Sequence, residues 1–168
     1  GGEVRSVRVN MGKAELKPAN IPVKLDGDCV VNRKVKVADG EYEISCVNMG
    51  NPHCVVFCER VDRVDISKVG PLFENDPLFP ERTNVEFVRV VNKNTLKMRV
   101  WERGNGETLA CGTGACAAVV AAVENGYCEK GEDITVKVRG GELVVNYTDE
   151  AVYLTGNASL VYNGTVEL

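Results

Sequence analysis

Chemistry in this chain concentrates on the run Glu102-Arg103-Gly104-Asn105-Gly106-Glu107-Thr108-Leu109-Ala110-Cys111-Gly112-Thr113-Gly114. It reads as a strand end, a glycine-spaced loop and the start of a helix. The first N–H groups of a helix have no intrahelical partner and carry partial positive charge, so they can hold an anion. The same charge favours a thiolate, which leads us to expect a lowered pKa at Cys111. Gly112 and Gly114 are expected to let a ligand approach the backbone closely. Glu102 and Arg103, just upstream, are candidate partners for an ammonium and a carboxylate. The plain reading of such a charged pair is a solvated strand end, and that of Cys111 is a buried structural thiol. The glycine spacing at a helix start favours function for both.

The elements that must position these groups follow from periodicity. Residues 115–123 are apolar on every side of a helix, so this helix is expected to be buried all round rather than amphipathic. It is too short to span a bilayer, and Asn125-Gly126 ends it. Cys116 lies inside that apolar run and reads as core packing. Strands are expected over residues 4–10, 54–58, 133–138, 142–147, 151–154, 158–162 and 165–168. Hairpins are expected over 35–47, turning at Asp39-Gly40, and over 85–102, turning at 92–94. Residues 65–73 read as a surface helix with Ile66, Val69 and Leu72 inward. Roughly ten strands and one wholly apolar helix imply an α+β fold, a mostly antiparallel sheet curled around a central buried helix.

Composition narrows the function classes. The net charge is −4 without a Lys/Arg cluster, which argues against a nucleic-acid surface. No signal peptide or transmembrane run is present in the sequence, so no membrane role is expected. The seven cysteines, an odd count with several in apolar runs, read as reduced thiols of a cytoplasmic protein. Cys29, Cys46, Cys54, Cys58 and Cys128 read as structural. No paired Cys/His spacing suits zinc, so no metal site is expected. The chain opens Gly1-Gly2-Glu3 without Met, which we read as a fragment or a processed product.

Three segments in order carry a resemblance: Gly50-Asn51-Pro52-His53, Arg82-Thr83-Asn84-Val85-Glu86-Phe87, and the long cysteine run from Glu102 to Gly114. Together they resemble the C-terminal half of diaminopimelate epimerase, from Met11-Gly12 to the Leu154-Thr155-Gly156-Asn157-Ala158 segment. The resemblance implies an isomerase of lysine and cell-wall precursor biosynthesis that interconverts LL- and meso-2,6-diaminopimelate without pyridoxal phosphate or metal. It implies two similar domains, each a sheet around a central helix, with one cysteine from each flanking the substrate α-carbon. Cys111 would be one of the two acid/base thiols. Glu102 and His53 would tune its protonation. Gly112 and Thr113, at the helix start, would bind the α-carboxylate, and Asn51, Asn84 and Arg103 the distal end of the substrate. Residues 1–168 would form the C-terminal catalytic domain, with about 1–10 and 157–168 packing against the N-terminal half of the same enzyme. A homodimer stays open.

Two departures stand out. The half with its own Gly-Asn-Gly cysteine motif is absent, so this chain alone is expected to be inactive. Asn105 replaces what is often a smaller residue. Other readings are a related cofactor-independent racemase or isomerase of the proline racemase or phenazine type, a Cys–His hydrolase built on Cys111 and His53, and a non-catalytic binding half.

Overall fold

The computed structural model describes residues 4–167. Its strands are β1 (Ser6–Asn10), β2 (Arg33–Val37), β3 (Gly40–Asn48), β4 (Pro52–Phe57), β5 (Asn84–Asn92), β6 (Thr95–Glu102), β7 (Gly106–Thr108), β8 (Asp133–Val138), β9 (Gly141–Tyr147) and β10 (Val152–Asn157). Two α-helices accompany them, α1 (Ile66–Glu74) and α2 (Gly112–Glu124). One sheet runs in the order β1-β10-β9-β8-β6-β5-β4-β3-β2, with β7 paired to β6. Most neighbours are antiparallel, but β4 pairs β5 and β6 pairs β8 in parallel. These two junctions are the places where a helix intervenes: α1 lies between β4 and β5, and α2 between β6 and β8. A parallel pair needs such a crossover.

The sheet curls around α2, which touches β3, β4, β5, β6, β8, β9 and β10. Residues Gly114 to Ala122 of α2 are all buried, while Val123 is only partly so and Glu124 is exposed. A helix apolar on every face has no alternative to such a site. Its alanines let the strands come close, and each fully buried valine contributes roughly 1.5–3 kcal/mol. The helix stops at Asn125, and Gly126 follows at φ +76°, a conformation that glycine adopts without Cβ strain.

β3, β4 and β5 are covered on both faces. Val47, Val55 and Val88 point to α2, whereas Ile44, Cys46, Cys54, Val56, Val85 and Phe87 form a second core with Ile66 and Phe73 of α1. Double coverage explains their almost unbroken apolar character. α1 docks through Gly70, where an added Cβ would stand 2.5 Å from the Trp101 ring. At its C-terminal end, Glu74 accepts from the Trp101 indole at 2.7 Å and from the Gly104 N–H at 2.9 Å. The loop after β6 is therefore tied to α1.

Several expectations need correction. Residues 158–167 form no strand, and Leu168 lies outside the described residues. Leu160, Val161, Tyr162 and Val166 are exposed, so their apolar pattern is not matched to any covering face among the described residues. Leu72 of α1 points outward, because Phe73 takes the inward position against Phe87 and Tyr42. The first hairpin turns at Ala38-Asp39, with Gly40 already paired to Val37. Ala38 takes the left-handed conformation, φ +50°, that the turn requires. β10 extends to Asn157, three residues beyond the expected strand end.

Candidate active site

Alternation along three neighbouring strands builds the site. On β6, Leu96, Met98 and Val100 face α2, and Glu102 shares their parity. On β5, Val88 faces α2, so Glu86 and Asn84 do as well. On β4, Val55 faces α2, and His53 follows it. The register sets Glu86 opposite Val100 on one side and Val55 on the other. Glu86, His53 and Glu102 thus converge under the first turn of α2, and Cys111 caps that turn.

Cys111 is 8% exposed and has extended backbone, φ −137° and ψ 114°. Its Sγ accepts from the Gly114 N–H at 3.3 Å and lies 3.5 Å from the Thr113 hydroxyl. A thiol sulfur therefore takes the place that a Ser or Asp oxygen fills at an ordinary N-cap. The N–H groups of Gly112 and Thr113 open the helix, where no intrahelical carbonyl reaches them. The space beside Gly114 is filled by protein: a Cβ there would stand 2.7 Å from Glu86 Oε1 and 3.1 Å from Cys111 Sγ. Glycine at 114 makes room for a carboxylate of this chain, not for an incoming ligand.

The expected low pKa at Cys111 is overturned. Burial pushes the thiol from 9.0 up to about 11; the charge of Glu86 adds to the rise, and Glu102 contributes less. The Thr113 hydroxyl and Gly114 N–H pull the other way and are outweighed. Loss of hydration disfavours an anion more than one helix terminus favours it. Burial also pushes Cys116 up to about 12 and Cys54 well above the ordinary thiol range.

These thiols are expected to make the fold alkali-sensitive. The folded chain keeps protons that the unfolded chain releases near 9.0. Their stabilising contribution is full below that value and is lost as pH rises through about 11 and about 12. The urea midpoint is expected to fall steadily above about pH 9, and more gently in Cys116→Ala. A midpoint flat across that window would show that the thiols ionise as easily folded as unfolded.

His53 and Glu86 are both wholly buried and meet at 2.6 Å, Nδ1 to Oε1. The other ring nitrogen, Nε2, lies 2.8 Å from Asn51 Oδ1. His53 therefore reaches Cys111 through Glu86 rather than by a bond of its own. Burial raises the pKa of Glu86 while the charge and hydrogen bond of His53 oppose the rise. The second oxygen, Glu86 Oε2, is buried without a hydrogen-bond partner among the described residues.

The remaining candidates form the rim. Glu102 Oε1 accepts from the Thr108 hydroxyl at 2.5 Å. Asn84 joins two loops: its Nδ2 donates to the Pro52 carbonyl at 2.9 Å and its Oδ1 accepts from the Arg103 N–H at 2.8 Å. The Arg103 guanidinium donates to the Glu81 carbonyl at 2.9 Å. Asn51, His53, Asn84, Glu102, Arg103 and Cys111 thus share one corner of the molecule, although they come from three separated segments of sequence.

Comparison with known proteins matches this arrangement to a family. The diaminopimelate epimerase family model matches residues 45–161, which include every one of these residues. The chain belongs to the diaminopimelate epimerase family. It is 49% identical to the diaminopimelate epimerase of Acetivibrio thermocellus over 99% of its own length and 60% of that protein. It is 47% identical to that of Methanococcus maripaludis, with the same coverage. The chain thus spans about three fifths of the length of these curated relatives. A hydroxyproline epimerase from Agrobacterium vitis, solved with trans-4-hydroxy-L-proline, shares the fold with a TM-score of 0.63 at 14% identity, over 91% of this chain and 50% of that one.

Glu86 is the site residue that sequence reading did not single out. It stands inside the Arg82-Thr83-Asn84-Val85-Glu86-Phe87 segment that carries the family resemblance. The available signal was a carboxylate in Val85-Glu86-Phe87-Val88, a run otherwise apolar enough to be buried on both faces. No described helix is long and apolar enough to cross a membrane.

Proposed function

We propose that this chain is the C-terminal catalytic domain of a two-domain epimerase that interconverts LL- and meso-2,6-diaminopimelate, with Cys111 as one of two acid/base thiols. The observation that carries the reading is a thiol capping a buried helix while two carboxylates and a histidine converge beneath it. An α-proton of an amino acid is weakly acidic. Inverting the centre takes a base on one face and an acid on the other, and the reaction is written with a cysteine thiolate as base and a cysteine thiol as acid, without pyridoxal phosphate or metal. The N–H groups of Gly112 and Thr113 would take the α-carboxylate and stabilise charge as the proton leaves. Glu102 and His53 would set the thiol's protonation. Asn51, Asn84 and Arg103 would hold the distal amino-acid head group.

The second thiol would come from an N-terminal half of the same enzyme. Two features support a surface for that half. All five residues of β1 are exposed, including Val7 and Val9, and residues 158–167 expose Leu160, Val161, Tyr162 and Val166. The product would serve lysine and cell-wall precursor synthesis in the cytoplasm. A Cys–His hydrolase is disfavoured because both nitrogens of His53 are already engaged, by Glu86 and Asn51.

Incubating the intact enzyme with LL-diaminopimelate in deuterated water tests the reading. Meso product with deuterium at the inverted α-carbon is expected; ester or amide hydrolysis with an acylated Cys111 would replace it with the hydrolase. In the same assay Arg103→Lys is expected to raise KM about 10–100-fold, because lysine cannot reproduce a bidentate pair with carboxylate. Proton exchange in substrate already bound would change far less. An unchanged KM would remove Arg103 from the distal subsite.

A further inference from the structure

Glu86 stands between two groups of the proposed site. One of its oxygens is held by His53 at 2.6 Å, and the same oxygen borders the methyl-sized space beside Gly114 that Cys111 Sγ also borders. Its other oxygen is buried with no hydrogen-bond partner among the described residues. A carboxylate kept wholly out of water, half unsatisfied, is costly to maintain. Val88, two residues on, fills the equivalent face of β5 with hydrocarbon.

We propose that Glu86 is a positioning residue for Cys111: anchored by His53, its carboxylate sets its charge beside Sγ and adds to burial in holding the resting side chain as a thiol. Cys111 then enters the reaction as the proton donor. The thiolate from the other half takes the α-proton and becomes a thiol, while Cys111 gives its S–H proton to the opposite face of the α-carbon and is left as a thiolate. The inference rests on the epimerase reading for its role in catalysis, but not for the electrostatic coupling itself. The titratable groups that face Cys111 are Glu86 from β5, Glu102 from β6 and Cys116 from its own helix. Those that face Glu86 are His53 from β4, Glu102 from β6 and Cys111, while Cys54 of β4 feels its charge from the other face of the sheet. Glu86 is wholly buried, whereas Glu102 is partly exposed and carries the Thr108 hydroxyl. The charge of Glu86 therefore acts through the less polar medium and outweighs that of Glu102.

The test is the rate of Cys111 alkylation by iodoacetamide in the 168-residue chain between about pH 7 and pH 9, with the modified cysteine located by peptide mass spectrometry. Only the thiolate reacts, so the rate follows the ionised fraction. Glu86→Gln keeps the side-chain volume, removes a buried charge and leaves a carbonyl that accepts from His53 Nδ1. It is expected to speed alkylation of Cys111 about tenfold or more across that range, while Cys116 changes little. Glu86→Asp, which keeps the charge, is expected to stay within about threefold of the unmodified chain. An unchanged rate in Glu86→Gln, or an equal rise in Glu86→Asp, overturns the proposal. Because alkylation needs no substrate and no second domain, its outcome is separate from epimerisation. An intact enzyme that fails to epimerise while Glu86→Gln behaves as stated would sink the proposed function and leave the coupling standing.

Discussion

Cys111→Ala in the intact enzyme is expected to lower the rate of epimerisation by about a thousandfold or more. On the proposed two-cysteine mechanism inversion passes a proton through this position, and alanine can neither give nor take one. Loss of one of the two acid/base groups leaves binding and the helix terminus in place, so substrate affinity is expected to change much less than turnover. Cys116→Ala is the matched control. Cys116 is wholly buried in α2 among Ala115, Ala117 and the strand valines, five residues beyond the cap and on the core side. Its removal is expected to cost roughly 1 kcal/mol of stability and little turnover. The measurement is kcat for both variants beside their urea midpoints. Equal loss of turnover in two well-folded variants would remove the distinction between the thiols.

The 168-residue chain alone is expected to fold and yet to form no meso-diaminopimelate from the LL isomer. Folding is expected because α2 and the strands around it are all present, with two closed apolar cores on either side of β3, β4 and β5. Inversion requires a proton donor on the face opposite the base. Cys111 is the one thiol among the described residues that caps a helix, and the other buried thiols, Cys46, Cys54, Cys116 and Cys128, pack within the cores. His53 is wholly buried, with its two ring nitrogens engaged by Glu86 and Asn51. One-sided chemistry would at most exchange the α-proton with retention, and slowly, because no second domain excludes water or aligns the substrate. The purified chain would be incubated with LL-diaminopimelate in deuterated water and the isomers separated. Meso product that disappears in Cys111→Ala would show a second acid/base group within this chain.

Much of this site was legible before any fold was known. The Cys111 run carries its own geometry, since glycines and a helix start are local features. Residues 115–123, apolar on every side, specified burial of α2 regardless of what surrounds it. Alternation in β8 and β9 and the Asn125-Gly126 stop likewise act over a few residues, so chain order suffices to read them. Leu72 and residues 158–167 were misread for the opposite reason. An apolar side chain in a short segment has no preferred face until a neighbour covers it, and Phe73 rather than Leu72 met Phe87.

By itself, then, the sequence determined which helix must be central, which thiol caps it and which polar residues travel with it. What only the tertiary structure decided is how deeply that thiol is buried and which carboxylate lies beside it. Helix-terminus charge is a property of local backbone and favoured a low pKa, but burial and a carboxylate from β5 reversed the sign. Glu86 lies twenty-five residues before Cys111 in the chain, and its meeting with His53 and Gly114 depends on the parallel register of β4 with β5 and on the seat of α2 across them. Desolvation and charge–charge energy depend on distance and on the medium between the groups. Both quantities exist only once the strands are paired and the water is gone.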